Sequence, residues 1–186
     1  MRAIYQTERL LLREFVDADA DRLFLLDSDP EVRQFVGLPA PESAEPYLQA
    51  IRGRYQNYYE RTPGLGFWAL ESRSAGEFLG WFHLRPAMDY RFAEACRYRA
   101  GDVDLGYRLR REAWGRGYAT EMSRHLVDQA FEKRAARRVV ACTLAANIAS
   151  VRVLEKAGLE READVRLPGF EEPALVYAAN AAPHRG

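Results

Sequence analysis

The segment that most constrains the fold is a strand, a glycine-rich turn and a long amphipathic helix in direct succession. Apolar residues favour a strand up to Leu109, Gly115 and Gly117 lie in the turn, and an apolar face with spacings of three and four continues to Ala130. Because glycine has no side chain, a ligand can approach the backbone of this turn closely. The first N–H groups of a helix lack internal partners and, together with the helix dipole, favour an anion. The segment therefore predicts an anion site, although a tight connection without a ligand would use the same residues.

The remaining chain predicts a single mixed α/β domain over residues 1–186, with a frayed tail at 181–186. We expect helices that begin near Asp17, Pro30, Ser43, Gly117 and Ser150. Hydrophobic runs bounded by turn residues predict seven strands, at 10–12, 67–71, 78–84, 103–109, 138–144, 165–167 and 175–177. The change of hydrophobic period between these segments is typical of one domain that contains both kinds of element.

Charge and composition restrict the class of protein. Lys plus Arg and Asp plus Glu both number 27, so the zero net charge gives no reason to expect a nucleic-acid partner. Two cysteines without metal-ligand spacing indicate reduced thiols and no metal site. Met1–Thr7 does not resemble a signal peptide, and no apolar run approaches the roughly 20 residues that span a membrane. We expect a soluble, cytoplasmic protein without a membrane partner.

A second feature follows the strand at 138–144. Asn147 and Ser150 precede an apolar helix that is predicted to end at Gly158. On its own, Ser150 is more typical of a helix N-cap than of a catalytic residue. The glycine turn does not match a P-loop either, because no Gly-Lys-Ser/Thr follows it.

In combination, the two features resemble a known family. The run Gly115-Arg-Gly-Tyr-Ala-Thr-Glu121, together with Asn147-x-x-Ser150, is similar to the acetyl-CoA motif and the later asparagine motif of the GNAT N-acetyltransferases. Thr7–Arg13, Asp29–Val32 and Leu105–Tyr107 resemble the RimJ/RimL branch, which includes the acetyltransferases of ribosomal-protein N-termini. The resemblance covers nearly the whole chain. It implies a single GNAT-type domain with a central, mostly antiparallel, twisted sheet of about seven strands flanked by helices.

The resemblance also implies acetyl-CoA as the cosubstrate, with no metal. The backbone of Tyr107, Arg108 and Leu109 would pair with the pantetheine arm, and Asn147 would hydrogen-bond it. Backbone N–H groups would hold the pyrophosphate, and these belong to Gly115, Arg116, Gly117, Tyr118, Ala119 and Thr120. Arg152 or Lys156 would reach the adenosine phosphates, unless both are ordinary solvated helix residues.

The implied reaction is direct attack of a neutral primary amine on the thioester in a ternary complex. Ser150 is the candidate proton donor to the leaving thiolate, because many GNAT enzymes carry a tyrosine where this chain has Leu154. Asp104 is the candidate base, and Asp102 on the same strand face is its rival. Trp114 departs from the Gln or Arg that is usual in the superfamily, and would either pack on the core or cover the cofactor.

The acceptor is the least constrained part of this reading. A protein N-terminus and a small-molecule amine both remain open, as does a homodimer. Helical spacing predicts that most of Tyr47, Tyr55, Tyr58 and Tyr59 are core, although some of them would line the acceptor site. Loop carboxylates that would attract a cationic amine are Asp89, Glu94, Glu171 and Glu172. Two alternatives stay open: a catalytically silent acyl-CoA sensor, and an enzyme that uses another acyl-CoA such as succinyl-CoA, whose extra carboxylate would pair with Arg108.

Overall fold

The structure is a computed structural model that describes residues 3–133 and 136–182. Eight strands form one sheet in the order β1-β2-β3-β4-β5-β6-β8-β7. The strands are β1 Ala3–Gln6, β2 Leu10–Arg13, β3 Gly66–Ser72, β4 Phe78–Pro86, β5 Val103–Leu109, β6 Arg138–Leu144, β7 Glu160–Arg166 and β8 Pro173–Asn180. The helices are α1 Asp19–Ser28, α2 Pro30–Arg33, α3 Glu45–Ala50, α4 Gln56–Arg61, α5 Tyr118–Glu132 and α6 Ile148–Lys156. Short 3₁₀ turns cover Ala87–Asp89 and Arg111–Ala113.

The sheet has one strand more than the seven that the hydrophobic runs indicated. The additional strand, β1, pairs antiparallel with β2 at the edge of the sheet. Only Tyr5 of its four residues is buried, so the segment has no alternation long enough to predict a strand. The seven other strands overlap their predicted positions, although β7 begins five residues earlier than predicted, and the mixed α/β class is confirmed.

The chain divides into two compact units, and the first comprises Met1–His83 and Gly106–Met122. Its core is apolar and forms where α1 and the helices after it cover the sheet. The buried members are Phe15, Ala20, Leu23, Leu26, Val32, Ile51, Tyr55, Phe67, Ala69 and Phe78. Of the four tyrosines weighed above, Tyr55 is buried, while Tyr47, Tyr58 and Tyr59 are partly buried against this core.

The second unit comprises Leu84–Leu105 and Ser123–Gly186. Here β6 pairs in parallel with the start of β5, in the register Val103↔Val139, and antiparallel with β8 along its whole length. Arg138 at the start of β6 is nearly buried, and its guanidinium pairs with the carboxylates of Asp102 and Glu162. Unlike most strands, β7 is exposed along much of its length.

The helix starts predicted near Pro30 and Gly117 are confirmed, whereas three others are displaced by two residues, including α6, which begins at Ile148 and not at Ser150. Asp29 caps α2, because its Oδ1 accepts a hydrogen bond of 2.9 Å from Glu31 N, and Pro30 occupies the first turn. The helix expected from Asp17 begins two residues later, after an N-cap residue that makes no side-chain hydrogen bond. The helix expected from Ser43 also begins two residues later, at Glu45, and is interrupted by a π-helical turn at Ile51–Tyr55. Such π turns occur frequently at functional sites.

The cysteines, the metal-ligating side chains and the lengths of the helices can be compared with what the composition predicted. Cys96 and Cys142 are free thiols, and the hydrogen bond with Cys96, together with burial, raises the pKa of Cys142. Within 3–133 and 136–182, no cluster of three or more metal-ligating side chains occurs. Over the same ranges, every helix is too short or too polar to cross a membrane. The last four residues of the predicted frayed tail, 183–186, lie outside the described residues.

Candidate functional site

The turn between β5 and α5 is built on two glycines in a left-handed backbone conformation. Gly115 has φ 71° and Gly117 has φ 78°, and α5 begins at the next residue, Tyr118. A Cβ at Gly115 would meet nothing within 4 Å, so the backbone conformation, not lack of space, requires glycine there. The N–H groups of the first turn of this 15-residue helix therefore follow directly on a loop in which Gly115 and Gly117, on either side of Arg116, carry no side chain.

Trp114 packs back on the end of β5. Its indole Nε1 donates a hydrogen bond of 2.9 Å to the carbonyl oxygen of Leu109, while 42% of the residue stays exposed. This contact fixes the position of the turn relative to the last residue of the strand. Trp114 is thus bonded to the end of the strand, and its ring is partly exposed and not buried in the core.

Arg9 holds the other side of the same turn. Its Nη1 donates to the carbonyl oxygen of Arg116 at 3.1 Å, and its Nε donates to Glu121 Oε2 at 2.6 Å. The guanidinium also lies 4.9 Å from the ring centroid of Tyr118. Desolvation opposes ionisation of Glu121, but hydrogen bonds from Thr7 and Arg9 outweigh it and lower its pKa. No sequence pattern indicates this contact, because Arg9 and Glu121 are separated by 112 positions.

Contacts with neighbouring side chains hold the end of β5, the segment that the resemblance assigns to the pantetheine arm. Tyr107 stacks on Phe82 with ring centroids 5.2 Å apart, and Leu109 is buried. The Arg108 guanidinium forms an ion pair of 2.5 Å with Asp27 and lies 5.3 Å from the Trp81 ring centroid. This strand end is thus fixed from its flanks, and the charge of Arg108 is neutralised inside the protein.

The same strand end approaches β4 very closely at Gly80. A Cβ at Gly80 would lie 2.1 Å from the carbonyl oxygen of Arg108 and 2.8 Å from Leu109 Cα. Gly80 itself has φ 144°, a conformation that side-chain-bearing residues rarely adopt. One residue thus permits both the backbone path of β4 and the position of the end of β5.

In the second unit, Asn147 and Ser150 stand at the start of α6. Asn147 is the N-cap, since its Oδ1 accepts a hydrogen bond of 3.1 Å from Ser150 N. The alternative in which Ser150 caps the helix is therefore wrong: Ser150 lies inside the first turn, and the cap is the asparagine. This arrangement sets the rotamer of Asn147 through the backbone of Ser150.

The two candidate bases differ in their surroundings, and both are buried. Asp102 Oδ2 accepts from Arg99 N at 2.9 Å and pairs with Arg138, which ties it to the local fold. Asp104 Oδ2 accepts from Arg85 Nε at 2.9 Å and lies 2.8 Å from Arg85 Nη2. Desolvation, and secondly the charge of Asp104, raise the pKa of Tyr98, which remains a neutral phenol.

The remaining predicted site residues lie in the turn before α5, in the first turn of α5 and on α6. Arg116 is exposed, while Tyr118, Ala119 and Thr120 are half-buried in the first turn of α5. Lys156 closes α6, where its carbonyl oxygen accepts from Arg124 Nε at 2.6 Å, and Arg152 is exposed on the same helix. The His83 ring stacks on Trp81 and packs at a tilt against Phe67 in the first unit, which is typical of a structural histidine.

Comparison with known proteins places this geometry in context. Residues 9–160 match the family profile described as "Acetyltransferase (GNAT) domain". An N(2)-transacetylase from Aspergillus fumigatus, described as FsC-acetyl coenzyme A-N(2)-transacetylase, is 31% identical over 159 residues, which are 82% of this chain and 66% of that protein. The uncharacterized N-acetyltransferase YoaA of Bacillus subtilis is 31% identical over 163 residues, 88% of this chain and 86% of that protein.

Solved structures share the fold at low sequence identity. A RimL ribosomal L7/L12 alpha-N-protein acetyltransferase in complex with coenzyme A matches with a TM-score of 0.74 at 17% identity, over 97% of this chain and 98% of that chain. A spermidine N-acetyltransferase from Vibrio cholerae in complex with CoA and spermine matches with a TM-score of 0.70 at 13% identity, over 94% and 96%. The predicted single mixed α/β domain, with a mostly antiparallel sheet and flanking helices, is thereby confirmed.

Proposed function

Because the chain belongs to the GNAT acetyltransferase family, we propose that it transfers an acetyl group from acetyl-CoA to a primary amine. The observation that carries this proposal is the turn at Gly115 and Gly117, whose positive φ angles place an open backbone before the N-terminus of α5. A pyrophosphate is the kind of anion that such a helix start accepts. The residues present therefore suit acetyl-CoA, which would supply an activated thioester to the amine.

We propose that the chain's own backbone holds this cosubstrate. The N–H groups from Gly115 to Thr120 would bind the pyrophosphate, and Tyr107, Arg108 and Leu109 would pair with the pantetheine arm. Arg9 supports this assignment, since its hydrogen bond to the carbonyl oxygen of Arg116 and its ion pair with Glu121 join the turn to the first helical residues after it. In the second unit, Asn147 would contribute a hydrogen bond from the start of α6, where its capping role already fixes its orientation.

The chemistry requires a neutral amine, a donor to the developing oxyanion and a proton for the thiolate. An α-amino group, with a reference pKa of about 7.7–8.0, needs less help than a lysine at about 10.4. The backbone N–H of Leu109 is our candidate oxyanion donor, because its strand end is held by Trp114 and by the close approach of β4. We assign Ser150 as the proton donor to the thiolate.

Replacing Ser150 by alanine is expected to lower kcat at least tenfold while the affinity for acetyl-CoA changes little. Since Asn147 is the cap of α6, the variant keeps the hydrogen bond that starts the helix. Turnover followed by thiol release and affinity measured by calorimetry would separate the two effects. An unchanged kcat would remove Ser150 from the mechanism.

We retain Asp104 as the candidate base, either directly or through water, because it directly precedes the Leu105–Tyr107 run that carries the family resemblance. The Asp104→Asn variant is expected to lose the acidic limb of the pH profile of kcat/KM. Asp102→Asn is the matched control, and it should lower stability without moving that limb. An unshifted profile for Asp104→Asn would show that its pairing with Arg85 is purely structural.

The acceptor class and the branch within the family belong to the proposal. The RimJ/RimL likeness and the RimL neighbour support a protein N-terminus, whereas the spermidine enzyme of the same fold supports a small amine. The succinyl-CoA alternative finds no support at Arg108, because Asp27 already neutralises its guanidinium. A silent acyl-CoA sensor would bind acetyl-CoA but release no thiol with any amine.

Calorimetric titration with acetyl-CoA, with ATP and NAD as controls, tests the proposal. We expect micromolar binding of acetyl-CoA alone and a higher melting temperature in its presence, because a ligand of the folded state stabilises that state. Thiol release with a panel of amines would then distinguish an enzyme from a sensor. If neither acetyl-CoA nor CoA binds, the glycine turn is structural and the proposed function is wrong.

A further inference from the structure

The hydroxyl group of Tyr98 is buried without a hydrogen-bond partner in the part of the chain that the structure describes. Only 6% of the residue is exposed, and no donor or acceptor in residues 3–133 and 136–182 bonds its Oη. A hydroxyl that leaves water without gaining a hydrogen bond destabilises the folded state. In native proteins such a group commonly holds an ordered water molecule or serves a function. Packing alone therefore does not account for a tyrosine, in place of a phenylalanine, at this position.

Backbone interactions fix where Tyr98 lies in the second unit. Its N–H donates a hydrogen bond of 2.9 Å to the carbonyl oxygen of Ala93, and Arg97 N–H donates at 2.9 Å to that of Glu94. These two bonds close a helical turn as a Schellman motif does, with a left-handed residue before the last donor. Arg97 occupies that position with φ 56°, a conformation that costs free energy in a residue with a side chain. The fold thus maintains a strained turn that directs Tyr98 into the interior.

The carboxylate of Asp104 lies in the same cluster as the Tyr98 ring. Arg85 binds Asp104 Oδ2 through Nε at 2.9 Å and through Nη2 at 2.8 Å. The Arg85 guanidinium also lies 5.1 Å from the centroid of the Tyr90 ring, which is 6.0 Å from that of Tyr98. Burial, and after it the negative charge of Asp104, raises the pKa of Tyr98, so the phenol keeps its proton at neutral pH. A buried donor that bonds no described residue is therefore within electrostatic reach of the candidate base.

The cluster is less deeply buried on the side of β6. Asp104 lies opposite Val140 in the parallel register of β5 and β6, and Cys142, two residues further on, points to the same face of the sheet. The hydrogen bond with Cys96, then burial and also the charge of Asp104 raise the pKa of Cys142, which agrees with this placement. Cys142 and Tyr90 are half-buried, whereas Asp104 is only 4% exposed. A base acts within hydrogen-bond distance or through one water molecule, and the depth of Asp104 favours the second route.

From this arrangement we propose that Tyr98 is a positioning residue for Asp104: its hydroxyl holds the water molecule through which this carboxylate takes a proton from the acceptor. This inference rests on the proposed function and adds a residue to its proton-transfer step. The phenol donates to the water oxygen, and the water donates to the carboxylate. In the transfer, the ammonium gives one proton to the water while the water gives one of its own to Asp104. The water is regenerated, and the neutral amine has the lone pair that attacks the thioester.

An experimental structure of the wild-type protein that shows ordered water tests this arrangement without an acceptor. We expect a water molecule within hydrogen-bond distance of both Tyr98 Oη and an Asp104 carboxylate oxygen, and we expect the Tyr98→Phe variant to lack it. A wild-type protein without this water, or with the Tyr98 hydroxyl bonded directly to another protein group, overturns the proposal.

Thermal unfolding separates this role from a structural one. Because the Tyr98 hydroxyl bonds no described residue, Tyr98→Phe should leave the melting temperature unchanged or raise it. Tyr177→Phe is the matched control in the same unit, since the Tyr177 hydroxyl donates to Glu155 Oε1 at 3.2 Å, and this variant should melt at a lower temperature. A lower melting temperature and weaker acetyl-CoA binding in Tyr98→Phe would mean that the hydroxyl supports the fold, against the proposal.

The kinetic test uses thiol release with the fastest-reacting amine of a panel that contains spermidine and an alanine-initiated peptide. Tyr98→Phe should lower kcat/KM about tenfold or more, while Tyr177→Phe should change it by less than about twofold. In the Asp104→Asn background, Tyr98→Phe should cost less than about twofold, because the water then has no base to serve. An unchanged kcat/KM in Tyr98→Phe, or losses that multiply in the double variant, would contradict the proposal. Failure of the proposed function would appear separately, as absence of acetyl-CoA binding.

Discussion

The Gly80→Ala variant is expected to bind acetyl-CoA at least tenfold more weakly than the wild type. Its free energy of unfolding should be lower by roughly 3 kcal/mol or more. The new methyl group would meet the carbonyl oxygen of Arg108 at 2.1 Å, and a backbone atom cannot rotate away as a side chain can. The φ of 144° adds strain, because only glycine adopts it readily. Either β4 or the end of β5 must therefore move, and the latter is the segment to which we assign the pantetheine arm.

Denaturant unfolding and calorimetric titration of the same preparations check this expectation. Gly76→Ala is the matched control, since Gly76 precedes the same strand with φ 62° but a Cβ there would meet nothing within 4 Å. Gly76→Ala should lower the free energy of unfolding by only about 1–2 kcal/mol, which is the cost of a left-handed backbone conformation without a steric clash. The affinity for acetyl-CoA should not change. If Gly80→Ala behaves like Gly76→Ala, then the contact between β4 and Arg108 does not determine the position of the strand.

Secondary structure could be predicted here wherever the pattern extended over many residues. The long helix α5 and the buried strand β6 were predicted closely, because their apolar residues repeat over two or more turns or form an unbroken run. The edge strand β1 was missed because one buried tyrosine in four residues is not a pattern. The π turn at Ile51–Tyr55 was missed as well, since a single extra residue barely disturbs a helical period.

The candidate site shows the same boundary between local and long-range information. The need for glycine at 115 and 117 is local, so the sequence identified it and the φ angles agree. The family resemblance assigns Asn147 to the pantetheine arm, but its capping of α6 was not predicted, because that contact depends on the side-chain rotamer. The contacts of Arg9 with Glu121 and of Arg108 with Asp27 join distant positions, and no single-sequence pattern encodes such pairs.

A buried ion-pair network in the first unit also joins positions that are far apart in the chain, so the sequence did not predict it. Breaking this network should have a large effect on stability. Asp19 lies in the first turn of α1, where a carboxylate favours the helix dipole, yet its side chain is fully buried. Both of its oxygens bind Arg13, at 2.6 and 2.9 Å, and Arg13 Nη2 also pairs with Glu71 at 2.6 Å. The network ties α1 to β2 and β3.

Replacing Asp19 by asparagine is expected to lower the free energy of unfolding by about 3 kcal/mol at pH 7, because it leaves the buried Arg13 charge compensated by Glu71 alone. For a chain of this length that corresponds to a fall of roughly 10 °C in Tm. The exposed Asp21 in the same helical turn gives the matched control, and Asp21→Asn should change stability by less than about 0.5 kcal/mol. Equal stability of the two variants would mean that Glu71 and Arg22 replace Asp19 without loss.

The pH dependence gives this network a second, independent signature. Desolvation acts to raise the pKa of Asp19, but hydrogen bonds from Arg13 and from the Val16 N–H outweigh it, so the pKa falls below its ordinary value of 3.8. The folded protein therefore resists protonation of Asp19 more than the unfolded chain does. Its stabilising contribution is complete above the unfolded pKa, and it declines as the pH falls through the folded one. The difference in unfolding free energy between wild type and Asp19→Asn should thus be constant from pH 7 to 5 and shrink below pH 4. A difference that stays constant to pH 2 would show that the Asp19 charge is not what binds α1 to the sheet.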